Sequence, residues 1–506
     1  MYYRLAPLSL FSIFTLSLIL STALSSTRVS AEETPQESPA HSTTAFASLA
    51  FKRCLISQGA YQIDAQCATL ARHENPDDAN SKLIELSIVK LPSHSSKPEA
   101  DAFTLIQGGP GSSSIDLIIS YSNVLNGIRA NRDILVVDQR GTGRSNVLTC
   151  PDMQEATDVI DPEKIKQLSQ QCLDALDADP RFYTTSVAVQ DLDAVRQAAG
   201  YEQLSVYGVS YGTRVAQHYL RRFPEKTRAV ILDGVTPIGL NLAGGEIARR
   251  SQAAFDQMAE RCKTSSVCNK QFGDISLKFK ELRERLSQAP VTVSLLHPVS
   301  GELIDEELSE QDLYGVLRLM AYSTESNALL PMLISQAHAK NYIPLTAQTL
   351  MVGSEFSKDL AIAMSNAIVC TEDAPYVTES DVQGLDNTYF GNDMANSIAA
   401  MCEVFPRGLK DEDFFEPFDS DVPVLILSGE TDPITPPENG EQAAKMLSNS
   451  KHLVVPAHGH GVFVRGCVLQ LGSQFIKEGS FEHLKTDCIK RERPMPFFNN
   501  NAGPTS

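Results

Sequence analysis

The sequence predicts an α/β fold in which a mostly parallel, doubly wound sheet is interrupted by a large, mainly helical cap. Two patterns support this prediction. Short apolar runs typical of buried strands alternate with helical patterns up to about residue 237, and such alternation indicates a parallel sheet covered by helices on both faces. Buried-strand patterns then disappear until about residue 421, which predicts that the intervening chain is inserted between two sheet strands.

The individual elements follow from apolar periodicity and from the residues that end each run. Strands are predicted over residues 83–90, 103–106, 134–137, 204–209 and 229–232. Helices are predicted over residues 186–199 and 213–222, and Gly200 closes the first of them. In the cap, the sequence predicts a hairpin over residues 291–304 and a helix opened by a capping pattern of Ser309 and Asp312. The last predicted strands are residues 422–427 and 453–455.

These elements divide the chain into successive segments. The two parts of the sheet core are predicted at residues 45–237 and 421–490, and the cap at residues 238–420. A polar, proline-rich lead-in is expected at 32–44, and a disordered tail, low in apolar residues, at 491–506.

Residues 1–31 are predicted to be a secretion signal. Arg4 precedes an apolar stretch over residues 5–24, and Val29-Ser30-Ala31 fits the small-x-small cleavage rule. The stretch is also long enough for an uncleaved signal anchor, which is the alternative. No later segment is apolar enough over the length of a bilayer span, so no stable membrane anchor is expected. The sequence therefore predicts an exported protein, periplasmic or extracellular.

Charge and cysteine content narrow the function classes. The formal net charge of −19 argues against nucleic acid as a partner. Ten cysteines occur in neighbouring pairs, as expected for local disulfides in an oxidising compartment. Metal binding is the alternative, but no C-x-x-C motif is present and the cysteines do not cluster with histidines, so neither a metal nor a cofactor is predicted. The predicted bridges are Cys54–Cys67, Cys150–Cys172, Cys262–Cys268, Cys370–Cys402 and Cys467–Cys488.

The strand at 204–209 runs directly into Gly208-Val209-Ser210-Tyr211-Gly212 and then into a helix. A strand, a sharp turn and a helix form the context in which G-x-S-x-G presents a nucleophilic serine. The flanking glycines allow the strand and helix to approach closely around a strained serine. Ser210 is therefore the predicted nucleophile, and a glycine-rich loop that only packs closely is the alternative.

A serine nucleophile needs a histidine base and an orienting acid, which in this arrangement follow on loops after later strands. Asp432 lies in a rigid, proline-rich loop after the strand at 422–427 and is the predicted acid, with Glu430 as the alternative. His460 lies between two glycines after the last strand and is the predicted base. His458 is the alternative base.

The loop Gln107-Gly108-Gly109-Pro110-Gly111 follows the strand at 103–106. Its glycines let backbone N–H groups face a substrate, so the N–H groups of Gly109 and Tyr211 are predicted to stabilise an oxyanion. A phosphate-binding loop is the alternative, but the later glycine and lysine of nucleotide-binding motifs are absent.

Three motifs in this order resemble the proline iminopeptidase and tripeptidyl aminopeptidase family of α/β-hydrolases. They are the 107–111 loop, Asp138-Gln139-Arg140-Gly141-Thr142-Gly143-Arg144-Ser145, and Gly208–Gly212. The acid loop at 429–436 and Gly459-His460-Gly461 match the later parts of the family pattern, so the resemblance covers about residues 83–488. One departure is Gln107, where the family usually has a histidine that supports the loop. The predicted export signal, paired cysteines and long cap resemble the secreted tripeptidyl branch.

This resemblance implies an exported serine aminopeptidase that releases single residues, proline among them, or tripeptides from short peptides with a free N-terminus. In that family, carboxylates of the cap hold the substrate's ammonium group. Glu372, or else Asp373, is predicted to do so here, because both acids follow a predicted helix at 360–369; a solvated acidic loop is the alternative. An esterase or lipase of the same fold is the second hypothesis, and an inert binding protein is the third. The sequence does not predict an oligomeric state.

Overall fold

The computed structural model describes residues 48–155, 160–358 and 360–504. The predicted signal segment at 1–31 and the lead-in at 32–44 lie outside these residues. Within the described residues, no helix combines the length and the apolar character that a membrane crossing requires.

The first part of the chain supplies seven strands of the central sheet within the described residues. Its elements are β1 (Lys52–Gln58), β2 (Tyr61–His73), β3 (Leu83–Leu91), β4 (Ala102–Ile106), α1 (Ser114–Tyr121), α2 (Asn126–Arg129), β5 (Asp133–Val137), α3 (Pro151–Glu155), α4 (Pro162–Ala175), α5 (Thr185–Ala198), β6 (Leu204–Val209), α6 (Tyr211–Arg222) and β7 (Thr227–Asp233).

The segment between β7 and the next sheet strand is mainly helical, and we refer to it as the cap. Its elements are α7 (Glu246–Thr264), α8 (Ser266–Phe272), α9 (Ile275–Gln288), β8 (Val291–Leu296), β9 (Leu303–Leu308), α10 (Glu310–Met320), α11 (Thr324–Asn327), α12 (Leu330–His338), α13 (Ile343–Lys358), α14 (Ile362–Glu372), α15 (Glu379–Val382) and α16 (Asp393–Cys402). β8 and β9 pair as the predicted hairpin, and Ser309 and Asp312 form the predicted capping box of α10.

The chain then returns to the central sheet with β10 (Val424–Gly429), α17 (Pro437–Met446), β11 (Ser450–Val455) and α18 (Val468–Glu478). In the described part of the chain the sheet order is β1-β2-β3-β5-β4-β6-β7-β10-β11. Strands β5 to β11 of this order run parallel, whereas β1, β2 and β3 join antiparallel. The predicted doubly wound, mostly parallel sheet is confirmed.

The central strands are apolar because helices cover both faces of the sheet. Every residue of β4, β6 and β10 is buried. Along β6, Val206 shares one apolar cluster with Val215 of α6, and Tyr207 shares the cluster on the other face with Phe475 of α18. Both faces are therefore dry, and continuous apolar runs replace the alternation of a half-exposed strand.

The predicted pairing of the cysteines is confirmed. Each cysteine is bonded to its neighbour in the sequence, and the bridges are Cys54–Cys67, Cys150–Cys172, Cys262–Cys268, Cys370–Cys402 and Cys467–Cys488. The first bridge joins β1 to β2, a hairpin that the sequence patterns did not predict because its residues are largely exposed and polar.

The prediction of a disordered tail at residues 491–506 is wrong for the residues that the structure describes. Residues 491–504 are described and pack against the cap, where Phe497 is buried in the cap's own apolar core. The Arg261 guanidinium lies 3.9 Å from the centroid of the Phe497 ring. The Phe498 N–H donates to the Ala328 carbonyl at 3.1 Å. The low average apolar content of the tail concealed two phenylalanines, which are enough to anchor it.

Candidate active site

Ser210 lies at the sharp turn between β6 and α6. Its φ of 57° and ψ of −128° are strained for a residue with a side chain. A Cβ at Gly208 would lie 2.3 Å from the Gly212 carbonyl oxygen, and one at Gly212 would lie 2.2 Å from the Ile106 carbonyl oxygen. Both flanking positions therefore require glycine, as the motif predicts. The Ser210 N–H donates to the Asp233 carbonyl at 2.9 Å, which ties the turn to the end of β7.

Asp432 and His460 form a hydrogen-bonded pair. His460 Nδ1 lies 2.8 Å from Asp432 Oδ2, and the Asp432 side chain is fully buried. The other carboxylate oxygen accepts the N–H groups of Ile434 and Thr435, each at 2.9 Å. With Nδ1 engaged by the carboxylate, Nε2 of the imidazole is left available as a proton acceptor.

The two alternatives considered from the sequence have other partners. Glu430 Oε2 accepts the Ala457 N–H at 2.8 Å. His458 Nε2 lies 3.1 Å from Glu492 Oε2. Glu430 is bonded to a backbone N–H and not to a histidine, and the carboxylate beside His458 comes from the C-terminal tail and not from the predicted acid loop, so the geometry favours Asp432 and His460.

The charges around this pair shift both pKa values. Burial lowers the pKa of His460, but the Asp432 carboxylate, with help from Asp233, more than offsets burial, so the pKa is raised. Burial raises the pKa of Asp432, but the charge and hydrogen bond of His460 outweigh it, so that pKa is lowered. The pair is therefore biased towards an ionised acid beside a basic imidazole.

Thr435 is a site residue that the sequence patterns did not single out. Its hydroxyl donates to Asp432 Oδ2 at 2.8 Å and lies 3.0 Å from His460 Nδ1. Thr435 lies three residues after Asp432 in the loop predicted to carry the acid, and this proximity is the sequence feature that could have identified it. The hydroxyl fixes the carboxylate and the imidazole relative to one another.

Ser210 and His460 both lie next to the Asp233–Gly234 backbone. A Cβ at Gly234 would lie 2.9 Å from His460 Cε1, and the preceding carbonyl accepts the Ser210 N–H. Among the described residues no hydrogen bond joins the Ser210 hydroxyl to His460. Hydrogen bonds between such groups are commonly long before substrate binds and tighten in the complex.

The loop after β4 passes directly against the predicted nucleophile. A Cβ at Gly108 would lie 3.2 Å from Ser210 Oγ. The Gly108 N–H is already bonded to Gln107 Oε1 at 2.9 Å, whereas in the described part of the chain no acceptor takes the Gly109 N–H. Gly109 has a φ of +111°, which glycine alone tolerates readily. Tyr211 is the first residue of α6, so its N–H has no partner within the helix.

Asp138, at the end of β5, fixes this loop from below. Its Oδ1 accepts the Ser113 hydroxyl at 2.8 Å and the Ile115 N–H at 2.9 Å. Its Oδ2 accepts the Arg144 N–H at 2.9 Å. Asp138 therefore links the Asp-Gln-Arg-Gly motif to the helix that follows the 107–111 loop.

Glu372 and Asp373, the predicted amine anchors, lie in a buried ion-pair cluster. Arg214 of α6 donates to both Asp373 oxygens, at 2.9 and 3.0 Å, and to Glu372 Oε2 at 3.3 Å. Thr185 donates to Glu372 through its N–H at 2.7 Å and through its hydroxyl at 2.8 Å. Burial raises the pKa of Glu372 to about 7, against the opposing effects of Arg214 and Thr185. Both acids thus have internal partners, which no local pattern predicted, and both are buried, so the alternative of a solvated acidic loop is wrong.

A cap residue also contacts the histidine. The carbonyl of Tyr322, between α10 and α11, accepts the backbone N–H of His460 at 2.8 Å. The Tyr322 ring centroid lies 5.2 Å from that of His460. The cap therefore reaches the predicted base through one backbone hydrogen bond and one ring contact.

Comparison with known proteins identifies the family. A model of the alpha/beta hydrolase fold matches residues 101–271, and a model of the TAP-like protein family matches residues 387–488. The chain is an α/β-hydrolase of the TAP-like family. The two matches lie on either side of most of the cap and include Ser210, Asp432 and His460. The resemblance predicted from the motifs is confirmed.

Relatives of the TAP-like hydrolase include proteins named as peptidases and a protein named as an esterase. Serine protease Hip1 of Mycobacterium tuberculosis is 27% identical over 223 residues, 40% of this chain and 42% of the relative. Carboxylesterase B of the same species is 29% identical over 225 residues, 40% of this chain and 43% of the relative. Tripeptidyl aminopeptidase of Streptomyces coelicolor is 26% identical over 172 residues, 30% and 32% of the two chains. The chain spans less than half the length of each of these relatives.

Proposed function

We propose that this TAP-like hydrolase is an exported serine aminopeptidase that removes N-terminal residues from short peptides through Ser210, His460 and Asp432. The observation that carries the proposal is the buried Asp432–His460 pair beside a strained, glycine-flanked serine. Two relatives, named serine protease and tripeptidyl aminopeptidase, support a peptide as the substrate.

In the proposed reaction, Ser210 Oγ attacks the scissile carbonyl carbon while its proton passes to His460 Nε2. The N–H groups of Gly109 and Tyr211 stabilise the resulting oxyanion. The C–N bond then breaks, and His460 returns the proton to the leaving amine. His460 next takes a proton from water, the hydroxide attacks the acyl-enzyme, and the freed Ser210 oxygen regains a proton from His460.

Asp432 acts in this scheme by orienting the imidazole and stabilising its cationic form. Its charge is opposite to the imidazolium that forms when Ser210 is deprotonated, so the stabilisation is larger in the transition state than in the resting enzyme. The Thr435 hydroxyl and two backbone N–H groups hold the carboxylate in place.

Export rests on two observations. The five disulfides are compatible with an oxidising compartment, where such bridges form and persist. The apolar stretch at residues 5–24 and the cleavage motif after it fit a secretion signal. Periplasm and medium are equally compatible with both observations.

The amine-anchoring role of Glu372 or Asp373 stays a prediction. The cluster holds two carboxylates against one guanidinium, and Glu372 borders a pocket together with Asn241 and Tyr376, which favours a cation at this position. Burial and the bonds from Thr185 and Arg214 oppose it.

The variant Glu372→Gln tests the anchor directly. If Glu372 binds the substrate's ammonium group, hydrolysis of free-amine peptides slows by about tenfold or more, while a neutral nitrophenyl ester is hydrolysed at an unchanged rate. An equal change on both substrates assigns Glu372 to the structure of the cap instead.

Ester hydrolysis is the second candidate, favoured by the relative named carboxylesterase B. A screen of chromogenic peptides with free and blocked N-termini, alongside short-chain nitrophenyl esters, separates the candidates. We expect free-amine peptides of one to three residues to have the highest kcat/KM, and Ser210→Ala to abolish hydrolysis. A preference for esters, or equal rates on free and blocked peptides, would contradict an aminopeptidase.

A further inference from the structure

The loop that carries His460 is bonded to a carboxylate that the proposed reaction does not use. Asp233, at the end of β7, is fully buried. Its Oδ1 accepts the N–H of Val462, and its Oδ2 accepts the N–H of Phe463, each at 2.9 Å. The Tyr207 hydroxyl of β6 donates to Oδ2 at 3.0 Å.

A buried carboxylate is costly unless its charge is compensated. Burial raises the pKa of Asp233, and the hydrogen bonds from Val462, Phe463 and Tyr207 and the nearby His460 oppose that effect. Among the described residues, no arginine or lysine forms an ion pair with this carboxylate. Most of its compensation therefore comes from the loop that follows His460.

The backbone of this loop is fixed from two directions. The Tyr322 carbonyl of the cap accepts the N–H of His460 at 2.8 Å. Asp233 accepts the N–H groups of Val462 and Phe463, which follow His460 closely along the chain. The cap thus holds one end of the segment, and the sheet holds the other.

We propose that Asp233 is a positioning residue for His460. Asp233 fixes the loop of residues 460–463 and places a second negative charge beside the imidazole. The inference rests on the proposed function, because it takes His460 as the base. Asp432 then orients the ring from the acid loop, while Asp233 sets where the ring's backbone lies and adds to the field in which it is protonated.

Charged and titratable groups face His460 from each element packed against it. Asp432 approaches from the acid loop, Asp233 from β7, and Arg318 and Tyr322 from the cap. Burial and Arg318 lower the pKa of His460, and the two carboxylates raise it. Removing the Asp233 charge therefore lowers this pKa, so the neutral, active imidazole persists to lower pH.

The test is the pH dependence of kcat and KM in Asp233→Asn, measured on a peptide that the wild type hydrolyses. The matched control is Asp138→Asn, which removes a buried carboxylate that also accepts three hydrogen bonds but fixes the other loop of the site. Both variants should lose activity, on the order of tenfold or more in kcat. The expected difference is that the acidic limb moves about half a pH unit or more to lower pH in Asp233→Asn alone.

An acidic limb that stays in place in Asp233→Asn, or that moves equally in Asp138→Asn, would overturn the inference. Where neither variant folds, amide hydrogen exchange of the wild type decides, with slow exchange expected at Val462 and Phe463 and rapid exchange contradicting the anchor. Labelling of the wild type by a fluorophosphonate distinguishes a failure of the proposed function from a failure of the role given to Asp233. No labelling refutes the proposed function, whereas labelling with an unmoved limb refutes only the role of Asp233.

Discussion

At the scale of single residues, the candidate site contains hydroxyl and amide groups that hold the side chains of Asp432 and His460 in fixed relative positions. Thr435 contributes most directly, since its hydroxyl lies within hydrogen-bonding distance of both Asp432 Oδ2 and His460 Nδ1. Without that hydroxyl, the imidazole is the one side-chain donor that the described residues offer to the buried carboxylate. The orientation of the ring towards Ser210 is then less restricted.

This geometry predicts the behaviour of two Thr435 variants. Thr435→Val keeps the shape of the side chain but removes the hydroxyl, so kcat should fall about tenfold with little change in KM. Thr435→Ser keeps the hydroxyl and should retain most of the activity. Steady-state kinetics on one peptide measures both, and a loss in Thr435→Ser as large as or larger than that in Thr435→Val would contradict the role given to the hydroxyl.

At the scale of elements, the ion-pair cluster joins three helices. Arg214 belongs to α6, Glu372 is the last residue of α14, and Thr185 opens α5. Two carboxylates share one guanidinium, so one negative charge is in excess in a buried place. Burial raises the pKa of Glu372 to about 7, and the charge of the neighbouring Asp373 acts in the same direction.

The pH dependence of stability follows from this shift. An unfolded chain releases the Glu372 proton near pH 4.5, whereas the folded chain keeps it to about pH 7. Folding therefore loses stability through Glu372 as pH rises across that window. Glu372→Gln cannot lose the proton, so its Tm should rise relative to the wild type between about pH 5 and pH 8. Thermal denaturation at several pH values measures the difference, and parallel Tm curves would contradict a buried, titrating Glu372.

Local patterns predicted the elements that carry the chemistry. β6, the turn at Ser210 and α6 follow from a short apolar run, two glycines and a helical repeat, and the structure has them at the expected positions. The same patterns did not predict the partners of Glu372, because Arg214 lies 158 residues away in the sequence. The role of Asp233 was hidden for the same reason, since its hydrogen bonds depend on how a distant loop returns to the sheet.

At the scale of the whole molecule, sheet order brings the site together. Gly109, Ser210 and Asp432 follow strands β4, β6 and β10, and His460 follows β11. These strands are parallel, so their carboxyl ends meet at one edge, where ligands of open α/β sheets bind. The cap, inserted between β7 and β10, reaches this edge through Tyr322.

The central claim is that Ser210 is the nucleophile and that His460 activates it. Reaction with a fluorophosphonate, followed by peptide mapping and by labelling rates, tests this claim whatever the natural substrate is. We predict a label on Ser210 in the wild type and none in Ser210→Ala. Labelling should slow by about a hundredfold or more in His460→Ala but not in His458→Ala. A label elsewhere in the chain, or slowing in His458→Ala with normal labelling in His460→Ala, would contradict these assignments.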